Sequence, residues 1–119
     1  MCSNYEINLK TNVAIITVIG NCDVADIVKT MKAVTSDSSF NSKTGILIDK
    51  SQVSSLPTVD EAHNLADALA SIFKNRRIIT VAPETCLFGL NRMISTLSGM
   101  KGCHSMVVRT LSEAFSLLA

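Results

Sequence analysis

Short apolar runs of strand length alternate along this chain with longer stretches whose apolar residues recur every three to four positions. That alternation constrains the fold more than any other feature. An apolar run of four to eight residues suits a buried strand, and the wider spacing suits one face of a helix. Val13 to Ile19 is almost unbroken, with only Thr17 polar, and reads as a strand covered on both faces. Thr44 to Ile48 and Ile78 to Ala82 read the same way, the latter stopped by Pro83, and Ser105 to Val108 is the last such run. Between the strands lie three stripes: Val24, Ile27, Val28, Met31 and Val34; Val59, Ala62, Leu65, Ala66, Leu69, Ile72 and Phe73; then Leu87, Leu90, Ile94 and Leu97, with Met93 beside them. Leu111, Ala114, Phe115 and Leu118 form a fourth, expected to be the buried face of the last helix.

Ahead of these, Tyr5, Ile7 and Leu9 alternate with Glu6 and Asn8, the pattern of a half-buried edge strand. Lys10-Thr11-Asn12 is a tight turn, so the first two strands pair as an antiparallel hairpin. The order is β-β-α-β-α-β-α-β-α. Strands separated by helices need crossovers, which gives a single α/β domain over residues 1–119, its sheet mostly parallel with one antiparallel edge strand.

At 119 residues, 47% of them apolar and 18% charged, the composition is globular. The net charge of +1, with Lys43, Lys50, Lys74, Arg76 and Arg77 scattered, leaves no footprint for nucleic acid. Lys74 to Arg77 reads as a solvated lead into a strand. No run approaches the roughly 20 apolar residues that cross a bilayer. The start of the chain lacks the basic and apolar regions of a secretory signal, so a cytoplasmic location is expected.

Cys2, Cys22, Cys86 and Cys103 contain no C-x-x-C pair and are expected to be packed thiols rather than a disulfide framework. A metal site built from them with His63 and His104 lacks ligand spacing, and no metal or cofactor is expected. Phosphate-cradling glycine loops and a G-x-S-x-G elbow are absent. Cys86, near a helix start, has no identifiable base, and no acid, base and nucleophile set falls together, so the chain does not read as an enzyme.

Two places stand out. At the corner from Gly45 to Glu61, an apolar strand ends in Asp49, a hydroxyl-rich loop follows, and a helix opens at Pro57-Thr58 with Glu61 set to complete a capping box. Clefts form at such carboxyl ends of parallel strands. Asp49 is either an anchor for a ligand or partner, or an acceptor for loop amides and Ser51. Thr58 is a helix cap first and a candidate phosphoacceptor second, since helix N-termini receive phosphate. In the third helix, Gly89 costs about 1 kcal/mol relative to Ala. Close approach by another element, or by a second subunit across Phe88, Gly89 and Arg92, would account for it.

Taken together, Ile46-Leu47-Ile48-Asp49-Lys50-Ser51, the Thr58-led helix, Val81-Ala82-Pro83, Phe88-Gly89-Leu90-Asn91-Arg92-Met93 and Arg109 ahead of Glu113-Ala114 resemble the STAS/SpoIIAA-like family. The likeness covers nearly the whole chain and is nearest to the branch that shares a V-A-P and an F-G-x-x-R-M pattern. It implies a right-handed β-α superhelix. In anti-sigma-factor antagonists of that family, a serine opening the second helix is phosphorylated by the partner kinase. That position falls on Thr58, while Pro57, Val59 and Asp60 stand where the family has aspartate, serine and glycine.

Two functions follow. One is a non-enzymatic regulatory or interaction module, a protein partner reading the surface of Asp49, Ser51 and Thr58. The alternative is a carrier for an apolar small molecule or lipid, since high apolar content with few aromatics could leave a cavity between helices. A homodimer through the third helix is the associated expectation.

Overall fold

A computed structural model describes residues 2–118. The elements follow the expected order: β1 (Ser3–Asn8), β2 (Val13–Gly20), α1 (Val24–Ser36), β3 (Gly45–Val53), α2 (Val59–Ile72), β4 (Arg77–Val81), α3 (Thr85–Gly99), β5 (His104–Val108) and α4 (Leu111–Leu118). One five-stranded sheet runs in chain order, β1-β2-β3-β4-β5. β1 is antiparallel to β2, and the other neighbours are parallel. Asn12, at φ 54°, makes the hairpin turn in a conformation that asparagine tolerates.

Alternation along the strands sorts the core into two layers. Ile16, Val18, Ile46, Ile48 and Ile78 pack with residues of α1, α2 and α3 on one face. Val13, Leu47, Ile79, Val81 and Val108 pack with Ala114 of α4 on the other. Among the described residues, three helices therefore share one side, and α4 alone covers the opposite one.

Helix starts are well provided for. Asp23 Oδ1 accepts from the Asp26 amide at 2.9 Å to cap α1. Thr58 and Glu61 form the full capping box of α2. Glu84 caps α3 by accepting from the amides of Cys86 and Leu87, bonds that lower its carboxyl pKa. At α4, Thr110 Oγ1 accepts from the Glu113 amide, while the Glu113 carboxylate turns to the hydroxyl rather than to the cap's backbone.

Several expectations are corrected, among them Leu9, which lies past the end of β1 and is 76% exposed. β3 does not end at Asp49; it runs on to Val53 because its pairing with β2 resumes at Ile19–Gln52 and Gly20–Val53. Val59, the first residue of α2, is 60% exposed, and the packed stripe of that helix begins at Ala62. In α4, Leu111 and Phe115 are each 40% exposed, and the packed face is Ala114 with Leu117 and Leu118. Finally, Cys2 and Cys22 are joined by a disulfide, with Cα atoms 5.5 Å apart. The hairpin causes this: the amide of Ile19 donates to the carbonyl of Cys2, which sets the start of β1 beside the residue just past β2. Cys103 is the buried thiol expected, its Sγ donating to the carbonyl of Leu69 at 3.3 Å, whereas Cys86, also expected to be packed, is exposed.

Candidate functional site

The corner after β3 is built around an irregularity in the sheet. Thr17 pairs with Asp49 and Ile19 with Gln52, so Lys50 and Ser51 together oppose Val18 alone. This is a β-bulge, with an extra residue in β3. Ahead of it, Asp49 is in register with Val81 and so faces α4. Lys50 faces the three-helix side. Beyond the bulge the alternation is shifted by one, and Val53 joins Lys50 on that same side despite a spacing of three.

Lys50 is 5% exposed. Its ammonium Nζ donates to Asn91 Oδ1 of α3 at 2.6 Å. Asn91 is itself buried, and its Nδ2 donates to the carbonyl of Leu87 at 2.8 Å. Among the described residues, ion pairing is confined to exposed Lys101 and Asp67, so no carboxylate neutralises Lys50. Burial pushes its pKa down from 10.5 to about 8.

Lys50 lines a pocket of about 60 Å³ at the carboxyl ends of β2 and β3. Val24 and Ile27 of α1, Glu61 and Leu65 of α2, and Leu87 of α3 form its helical walls, and Asn21, Ser55 and Leu56 lie at the loops around it. The rim is tied down: the Ser54 amide donates to the carbonyl of Gly20, and Ser55 Oγ donates to Asn21 Oδ1 at 2.9 Å. Glu61 is the other ionisable side chain in the lining, and its Oε1 accepts from the backbone amide of Thr58.

The expected surface of Asp49, Ser51 and Thr58 divides. Asp49 is 8% exposed inside β3, and its Oδ1 accepts from the Ser51 amide at 2.9 Å, the local hydrogen-bonding alternative. Its side chain lies on the α4 face, across the sheet from α2. Ser51 and Thr58 are exposed. Thr58 Oγ1 accepts from the Glu61 amide at 3.1 Å. Beside Thr58, Leu56 is 50% exposed and Val59 60%.

In α3, Gly89 is exposed, and a Cβ added there meets no atom within 4 Å. Close approach by another element of this fold is therefore not what a glycine serves here. Phe88 is half-buried beneath the Arg109 guanidinium, whose carbon lies 4.3 Å from the ring centre, and Arg92 is exposed. Lys50 and Asn91 were the residues that sequence reasoning passed over. The available signal was a lysine at the end of an apolar strand, Ile46-Leu47-Ile48-Asp49-Lys50, where both faces are covered. Among the described residues, no helix is long and apolar enough to cross a membrane. A scan against models of protein families finds no match, and a search of the curated proteins finds no similar sequence.

Proposed function

We propose that this chain is a STAS-like, non-enzymatic, cytoplasmic regulatory module whose protein partner binds at the β3–α2 corner. The observation that carries the reading is the pair Leu56 and Val59, exposed apolar side chains that bracket the capped Thr58. Apolar side chains held beside a fixed helix start offer contact area at little ordering cost. Ser51 and Thr58 supply hydroxyls on the same corner. A phosphoryl group on Thr58 would meet the free amides of α2 but also face the Glu61 carboxylate, and its charge would remodel the corner that the partner reads.

Affinity capture from native cells tests this. Leu56→Ser with Val59→Ser should release the captured protein while the circular-dichroism spectrum stays unchanged. Retention of the same partner by that double variant overturns the reading. Intact-mass analysis of protein from its own cells tests the phosphate on Thr58. The Cys2–Cys22 disulfide stands against this location, because cytoplasmic chains ordinarily keep thiols reduced; acid-quenched thiol trapping in native cells decides it, a reduced pair supporting the cytoplasm and a fully oxidised pair counting against it.

A second reading, a carrier for a small apolar molecule, is supported by the apolar walls of the Lys50 pocket. At about 60 Å³ the pocket suits a ligand of a few non-hydrogen atoms and is far too small for an acyl chain. Native mass spectrometry that finds only the bare chain would oppose it.

A further inference from the structure

Most lysines keep the ammonium in water and bury only the stem. Lys50 does the reverse. Its nitrogen lies inside the protein, held by one neutral acceptor, Asn91, and the residue lines the pocket at the carboxyl ends of β2 and β3. Burying a charge without an opposite charge is unfavourable, so the group gives up its proton more readily than an exposed lysine does. A neutral amine in an apolar pocket is a nucleophile. The structure supplies the other requirements as well. Ile27, Leu65 and Leu87 form apolar walls, and Glu61, whose carboxylate accepts from the Thr58 amide, belongs to the same lining. The volume of about 60 Å³ admits roughly four water molecules, and so a comparably small organic molecule.

We propose that Lys50 is a carbonyl-capturing residue, forming a reversible imine with a small aldehyde or ketone that enters the pocket at the carboxyl ends of β2 and β3. The lone pair of Nζ forms a bond to the carbonyl carbon, and the oxygen takes up the proton released from nitrogen, giving a carbinolamine. Loss of its hydroxyl as water, with the remaining N–H proton, gives the imine. No oxidant or reductant is needed, and hydrolysis reverses the step. The apolar side chains beside Lys50, those of Ile27, Leu65 and Leu87, limit the water around the bond formed. Nothing in this step depends on a protein partner at the corner above it.

Acetaldehyde with sodium cyanoborohydride at pH 7 is the direct probe, since hydride reduction turns the imine into a stable ethylamine. The chain has six other lysines, all exposed. At pH 7 an exposed lysine is ordinarily neutral in fewer than about one molecule in a thousand, against roughly one in ten for an amine titrating near 8. Peptide mapping should place the first ethyl group on Lys50 at least about tenfold ahead of every other lysine, the pocket's slower access taking part of that advantage. The map also separates Lys50 from any α-amino group. In guanidinium chloride the preference should vanish. Lys50→Gln, which retains a hydrogen-bonding group for Asn91, should lose the fast site and keep the slow ones. Ethylation confined to the exposed lysines of the folded chain, with Lys50 unmodified, overturns the proposal and leaves Lys50 as a clamp between β3 and α3.

Discussion

At the scale of single residues, Lys50 makes its burial measurable. The folded chain releases this proton near pH 8, and the unfolded chain holds it to about 10.5. Between those values the unfolded state binds more protons, so stability rises with pH across that window and the cost of burial is present in full below it. A shift of this size is worth on the order of 3 kcal/mol. Wild type should therefore gain about that much relative to Lys50→Met between pH 8 and 10.5, read from denaturant midpoints. A constant difference would mean that the amine is solvated. Thr58→Ala removes one half of the capping box and should lower stability by about 1 kcal/mol, whatever its effect on a partner. Gly89 makes the opposite test. With open space around it, Gly89→Ala should raise stability by up to about 1 kcal/mol. If the variant instead splits a dimer in light scattering, the exposed side of α3 is an interface between copies.

Among the elements, the hairpin carries the cross-link. Reducing Cys2–Cys22, which are 20 residues apart, should lower stability by about 3 kcal/mol through loop-closure entropy. Hydrogen exchange should then quicken first in β1 and the end of β2. How much of this was legible in the sequence follows from the range of the interactions involved. Capping is local, so Thr58 with Glu61 could be read from neighbours along the chain. Strand and helix order rests on periodicity and was equally plain. The disulfide depends on hairpin register, which brings Cys2 against Cys22 only once β1 and β2 pair. The bulge at Lys50 and Ser51 is a mismatch between two strands and leaves no mark on either one alone. With it went the identity of the pocket, because a lysine ordinarily reads as surface and a bulge decides which side Val53 lines. The apolar stripes overreached at Val59 and Phe115, because periodicity marks an apolar face but not how much of it the sheet covers.

For the molecule as a whole, the two faces of the sheet are unequally defended. α1, α2 and α3 cover one, while the other relies on eight residues, α4, with Ala114 wholly buried against the strands. Ala114→Glu places an unpaired carboxylate there and should destabilise the protein by about 3 kcal/mol or more, seen in thermal unfolding with early proteolysis near Leu111. The order of the sheet sharpens this asymmetry. Each strand lies beside the one synthesised just before it, so the three-helix side can assemble stepwise as the chain leaves the ribosome. α4 is the last of these elements to emerge. Until it does, Leu47, Ile79, Val81 and Val108 form an uncovered apolar surface on an otherwise assembled sheet. A ribosome-bound chain stalled before Leu111 is therefore the form that chaperones should hold longest, and its release should coincide with the docking of that single helix.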